Sequence, residues 1–171
     1  MPAYAALLRA VNVGGTGKLA MTDLRQLCEA AGLSDVATYI QSGNVVFKSK
    51  RGEASVKKLL EAALAEQLGK PCGVLVRSAD ELRELLEANP FPKAAPNRVL
   101  MLFLDQPPAE AKFKDVLTPG GEELRACGRH LVLHFPNGMG QSKLKIPFAK
   151  EGTGRNLNTV RKLLTMLEAL G

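Results

Sequence analysis

Hydrophobic and polar positions follow two periods along this chain. Tyr4 to Asn12 is apolar at nearly every position, with Arg9 the exception. A run that is apolar on both faces predicts a strand covered on both sides. A polar, glycine-rich stretch follows, as far as Lys18. Leu24, Leu27, Cys28 and Ala31 then recur at helical spacing. Thr22 or Asp23 is the expected cap, Asp23 and Gln26 have capping-box spacing, and Gly32 supplies a left-handed stop. Val36 to Ile40 and Val45 to Phe47 read as two strands joined through the turn Gln41-Ser42-Gly43-Asn44, hence as a hairpin. Val56, Leu59, Leu60, Ala63 and Leu64 mark a second helix ended by Gly69, and Val74 to Val76 a fourth strand.

The order β-α-β-β-α-β is that of the split βαβ, or ferredoxin-like, unit, an antiparallel four-stranded sheet with two helices on one face. Its strands are too apolar for the other face to stay in water. The remaining residues supply a cover. Ser78 and Glu81 cap a helix carrying Leu82, Leu85 and Leu86, which stops at Asn89-Pro90. A proline-rich connector runs to Pro96, followed by a strand over Val99 to Leu104 and a helix over Pro108 to Val116. After the turn Pro119-Gly120-Gly121, Glu123 to Cys127 and His130 to Phe135 form a hairpin around Gly128-Arg129. A long loop leads to a last helix with Asn158 as its cap and Val160, Leu163, Leu164 and Leu167 on one face. This half reads β-α-β-β-α, the same unit without its closing strand. The expected fold is α+β: two ferredoxin-like halves packed together, with mostly antiparallel sheets and helices on one face. Residues 1–77 form the first half and residues 78–171 the second, incomplete one.

Composition narrows the class. Of 171 residues, 46% are apolar and 23% charged, which places the chain among globular proteins rather than disordered ones. No apolar run approaches the roughly 20 residues of a membrane helix, and no secretory leader pattern opens the sequence. The expectation is a cytoplasmic protein with no membrane partner. The three cysteines, Cys28, Cys72 and Cys127, form no CxxC pair and sit among apolar neighbours. They read as buried, inert thiols rather than a disulfide framework or a zinc site. The net charge of +6 admits an anionic partner. Lys and Arg are dispersed, aromatics make up only 5% and Trp is absent, which counts against stacking on nucleic-acid bases. Nucleic acid is therefore the lesser alternative.

Candidate chemistry gathers at three polar stretches. In a ferredoxin-like sheet the first and third strands are antiparallel neighbours, so Arg9 to Lys18 should lie beside Gln41 to Asn44. Gly14, Gly15 and Gly43 would let backbone N–H groups approach a ligand. Arg9 and Lys18 would supply charge, and Asn12, Gln41, Ser42 and Asn44 orientation. Turns need the same residue types, so plain turns remain the competing reading. Arg9, a charge in an apolar strand, requires a partner, either an internal acid or a bound anion. The second stretch, Pro136 to Lys143, contributes Ser142 and Lys143; its beginning should lie near Asn89-Pro90-Phe91-Pro92. The third, Thr153 to Thr159, contributes Arg155 and Asn156 at the mouth of the last helix.

Known catalytic and cofactor patterns do not fit. Gly17-Lys18 resembles the end of a P-loop, but Leu19 stands where Ser or Thr must bind Mg²⁺, and Asn12 stands at the first glycine. The loose G-x-G-x-x-A of Gly15 to Ala20 precedes a hairpin rather than a βαβ crossover, and no acid ends the second strand to hold a ribose. His130 and His134 lie about 13 Å apart by strand rise, too far to share a metal. Paired carboxylates are missing. No cofactor, metal or catalytic residue is assigned, and neither an activity nor an oligomeric state follows.

Several motifs nevertheless occur together: Arg9-Ala-Val-Asn-Val-Gly-Gly15, Tyr39-Ile-Gln-Ser-Gly-Asn-Val-Val46, Asn89-Pro-Phe-Pro92, Pro136-Asn-Gly138 with Ser142-Lys143, and Arg155-Asn-Leu-Asn-Thr159. In this order they resemble the bacterial family catalogued as domain of unknown function 1697. Ala10 stands where that family carries glycine, and Leu157 where it usually carries an aromatic residue. The resemblance implies paired ferredoxin-like α+β subdomains and supplies neither substrate nor catalytic residue. The functional expectation is a small anionic ligand in a composite polar site between the halves, with a nucleic-acid binder or a ligand-free interaction module as alternatives.

Overall fold

The computed structural model describes residues 1–9, 20–39, 43–140 and 142–171. It divides into two compact units, Met1–Leu82 with Leu163–Gly171, and Arg83–Lys162. Among the described residues no helix is long and apolar enough to cross a membrane.

The first unit is built from β1 (Ala3–Leu8), α1 (Met21–Ala30), β2 (Ser34–Tyr39), β3 (Asn44–Lys48), α2 (Glu53–Leu68) and β4 (Val74–Ser78). The strands form an antiparallel sheet in the order β2-β3-β1-β4, the ferredoxin-like arrangement. Tyr4 to Leu8 are all buried, so β1 is covered on both faces as its unbroken apolar run requires. Tyr4, Ala6 and Leu8 face one side with Val45, Phe47, Val74 and Val76. Leu24 and Cys28 of α1 and Val56, Leu60 and Leu64 of α2 complete that core. Each large apolar side chain buried this way stabilises the unit by about 1.5–3 kcal/mol.

Local signals set the ends. Gly32 at φ +92° follows α1, and Gly69 at φ +71° closes α2; both are left-handed positions that favour glycine. The expected capping box at Asp23 does not form. Helix α1 begins earlier, at Met21, with Ala20 at its N-cap position and no side-chain cap. Asp23 instead lies in the first turn, where a carboxylate suits the helix dipole.

In the second unit, β5 (Val99–Phe103), β6 (Glu123–Cys127), β7 (His130–His134) and β8 (Thr153–Asn156) pair in the order β6-β7-β5-β8. This repeats the first sheet position for position. The expected missing strand is present: β8 pairs with β5 from Leu100↔Asn156 to Phe103↔Thr153. Its sequence, Thr-Gly-Arg-Asn, carries no hydrophobic alternation, so pairing with β5 rather than local pattern makes it a strand. The helix expected over Pro108 to Val116 is also corrected. It is a 3-10 helix, Glu110–Asp115, too short and too polar to bury a stripe. Another 3-10 helix spans Pro147–Glu151. Their rings meet edge to face, Phe113 against Phe148 at 5.7 Å. Two longer helices complete the chain, α3 (Ala79–Glu87) and α4 (Leu157–Leu170).

Candidate functional site

At the end of β1 three backbone segments meet. Leu7 pairs with Asn44, and the Leu8 N–H donates to the Gly43 carbonyl at 2.9 Å. The expected adjacency of the first and third strands therefore holds in the described residues. The Arg9 N–H donates to the Gly73 carbonyl at 2.8 Å, so the start of β4 closes the same edge. Gly43 has φ +80°, which favours glycine at that turn. Asn44 is fully buried, and its amide donates to the Tyr39 carbonyl at 3.1 Å, fastening the hairpin.

Arg9 lies one residue past β1 and is half-buried rather than enclosed in the strand. Its guanidinium lies over Gly73, where a Cβ would stand 2.9 Å from Nε. Glycine at 73 is what lets that cation approach the backbone. The Cys72 thiol next door donates to the Arg9 carbonyl at 3.6 Å. Burial raises the Cys72 pKa, and Arg9 partly opposes that shift. Asn12, Gly14, Gly15, Lys18, Gln41 and Ser42 lie outside the described residues.

The second expected wall contains Ser142, Lys143, Arg155 and Asn156. The Ser142 hydroxyl donates to Oε1 of Glu122 at 2.8 Å and accepts the Leu144 N–H at 3.1 Å. Glu122 was not among the expected residues. It is buried, and its Oε2 accepts the Gly120 N–H at 2.8 Å. Its own backbone N–H, the Ser142 hydroxyl and the Gly120 N–H hold its carboxyl below the usual range, against the opposing effect of burial. Asn137 donates to the Gly120 carbonyl at 3.2 Å. Two turns are thereby tied together, Pro119 to Gly121 and Pro136 to Gly138. Between them is a cavity of about 170 Å³ bordered by Glu122, Asn137, Ser142 and Lys143. The available signal was an acid directly after a Pro-Gly-Gly turn, which reads on its own as a loop residue.

Arg155 is buried on β8. Its Nη1 donates to the Thr153 hydroxyl at 2.6 Å and to the Gly154 carbonyl at 2.9 Å. Burial pulls its pKa down to about 10. Asn156 is the cap of α4, its Oδ1 accepting the Thr159 N–H at 2.8 Å. That corrects the assignment of the cap to Asn158, which is exposed on the first turn.

The remaining motifs have internal tasks. Asn89 accepts the Phe91 N–H at 3.0 Å, and the Phe91 ring stacks on His134 at 5.3 Å. This places Asn89-Pro90-Phe91-Pro92 next to the end of β7, close in the chain to Pro136. His130 is buried against Phe103, with Nδ1 3.1 Å from the Cys127 carbonyl. Cys28 is buried and its thiol pushed up to about 12, mainly by burial, while Cys127 is only half-buried, against the expectation for all three cysteines. Among the described residues no cluster of three His, Cys, Asp or Glu could hold a metal ion.

Two ferredoxin-like sheets and polar turns at the strand ends define an α+β protein of repeated architecture. The chain belongs to the family described as a protein of unknown function (DUF1697), which matches residues 1–131. No curated protein matches it. Among solved structures it is similar to the conserved bacterial protein SP0830 from Streptococcus pneumoniae, at 28% identity and a TM-score of 0.79. The match covers 97% of this chain and 98% of that one.

Proposed function

We propose that this protein binds a small anionic ligand at the edge of the first sheet, with Arg9 as the principal cation. The observation that carries this reading is the Arg9 guanidinium over Gly73, half-buried where β1, Gly43 and Gly73 meet. Arg9 and Gly43, the described neighbours in sequence of the polar stretches 10–19 and 40–42, both lie at that edge. Arg9 and Lys18 would hold negative charge; the glycine N–H groups and side-chain amides would orient the ligand. The other expected residues, Ser142, Lys143, Arg155 and Asn156, belong to the second unit. Ser142 and Asn156 already bond within their unit, and the Glu122 carboxylate beside Ser142 repels an anion. The proposal therefore rests on the Arg9 edge.

Stacking on nucleic-acid bases has less support. The sheet face bearing Ala5, Leu7 and Leu75 is buried, as is the one bearing Met101, Phe103 and Val132. The exposed large apolar side chains among the described residues are Met1 and Leu117, neither aromatic. Thermal-shift titration with inorganic phosphate, pyrophosphate, nucleoside monophosphates and dicarboxylates tests the proposal. A binder at 100 times its Kd should stabilise the chain by about 2.7 kcal/mol. The rise should disappear in Arg9→Gln. An equal rise in Arg9→Gln, or no rise with any anion, overturns it.

A further inference from the structure

Glu122 poses a question that the Arg9 edge does not answer. It is a carboxylate only 7% exposed, yet its partners are the neutral Ser142 hydroxyl and backbone N–H groups. No cation among the described residues forms an ion pair with it. Buried carboxylates are ordinarily paired with a cation. Two oxygens offer about four acceptor sites, so the bonds it makes leave capacity.

The surroundings supply a shape. The Glu122 cavity adjoins an apolar groove of about 340 Å³ lined by Leu100, Leu133, Phe135, Met139, Leu144 and Ile146. Phe135 and Ser142 border both spaces. Loops and short 3-10 helices, rather than α-helices, cover this sheet face, and the groove reaches the strand residues Leu100 and Leu133 beneath them. Met139 at its wall can adapt to an occupant's outline.

We propose that the Glu122 cavity and this groove form one site for a small organic cation. An ammonium or guanidinium head would sit against the Glu122 carboxylate, and an apolar body of about the size of a phenylethyl group over Leu133 and Phe135. The carboxylate provides a charge-assisted bond that no neutral head can match. Lys143, exposed at the rim of the same cavity, opposes the bound charge and sets an upper bound on affinity. This site takes the opposite charge from the Arg9 edge and stands or falls separately.

The test uses three probes of one body on the full chain at pH 7: 2-phenylethylammonium, 2-phenylethanol and 3-phenylpropanoate, titrated by NMR. The ammonium should bind roughly tenfold more tightly than the alcohol, and the carboxylate most weakly. Glu122→Gln should remove the ammonium's advantage, and Lys143→Gln should tighten its binding. Equal affinities for all three probes would mean apolar adsorption only. That result, no binding up to about 10 mM, or weaker ammonium binding in Lys143→Gln overturns the proposal. Should Glu122→Gln fail to fold, the charge series on the unmodified chain decides alone.

Discussion

The two sheets share a strand order and differ in what covers them. In the first, α1 and α2 lay Leu24, Cys28, Val56, Leu60 and Leu64 over the core face. In the second, the same face is covered by the 3-10 helices and the turns around Met139 to Ile146. The consequence is that the groove of about 750 Å³ in the first unit is lined by α1 and α2 alone, whereas the groove in the second reaches the strand residues Leu100 and Leu133 and has a buried carboxylate beside it. A matching pair of arginines makes the same point. Arg77 lies opposite Ala5 on β4, and Arg155 opposite Met101 on β8. Both are buried, and each donates to the carbonyl of the preceding residue at 2.9 Å. Arg77 adds an ion pair with Glu81 at 3.6 Å, whereas Arg155 adds the Thr153 hydroxyl. One backbone plan thus accepts different polar solutions, and the plan alone does not say where a ligand goes.

Glycines before the fourth strands give the largest expected contrast. A Cβ at Gly152 would lie 2.0 Å from the Phe103 carbonyl, a backbone atom that cannot turn aside. Gly152→Ala should cost about 3 kcal/mol or more, read as a fall in the urea midpoint. At Gly73 the obstacle is the Arg9 side chain, which can move, so Gly73→Ala should cost about 1 kcal/mol. Equal losses would mean that the two edges are held alike. The covers themselves come next. Leu60→Ala in α2 should cost about 3 kcal/mol, and Phe113→Ala in the 3-10 cover about 1.5 kcal/mol because its ring is only half buried. A larger loss at Phe113 would show that the thin cover is as tightly packed as the helical one.

How much of this was legible follows from which signals are local. The first unit was readable because its strands and helices carry their own periodicity and its stops are glycines. Two features of the second unit were not. Strand β8 is polar and four residues long, and only its partner β5 makes it a strand. Glu122 looks like a loop acid until Ser142, twenty residues away, meets it. The family motifs include Pro136 to Gly138 and Ser142-Lys143, which border the Glu122 cavity, but not the acid that ties them together. Of the Arg9 edge, the strand adjacency was legible, while the contact with Gly73 was not, because nothing local links positions 9 and 73.

Asn156 and Asn158 separate a hidden role from an apparent one at about 1 kcal/mol. Asn156→Ala removes the side-chain acceptor from the Thr159 N–H and should destabilise by about 1 kcal/mol. Asn158→Ala, at an exposed position on the same turn, should stay within about 0.5 kcal/mol. The opposite ranking in thermal denaturation would return the cap to Asn158.

The smallest effect is a pH dependence at Glu122, and it tests whether the second unit's carboxylate is held as the hydrogen bonds imply. A carboxyl whose pKa is lower in the folded chain than its ordinary 4.5 contributes stability above that value and loses it as pH falls through the folded pKa. Ser142→Ala removes one of the donors that lower it. The folded pKa should rise towards the ordinary value, so the acid-unfolding midpoint should move to higher pH. Ser142→Ala also removes the acceptor of the Leu144 N–H, a loss that does not vary with pH. The two contributions separate in urea titrations at a series of pH values. The gap between the variant and the unmodified chain should be widest near pH 7 and narrow once the medium falls below about 4.5. Asn137→Ala is the control, since its bond to the Gly120 carbonyl leaves the carboxylate's own donors in place. A gap for Ser142→Ala that stays constant with pH would mean that the hydroxyl does not hold the charge on Glu122. The contrast between the helix-covered first unit and the charged second one would then rest on packing alone.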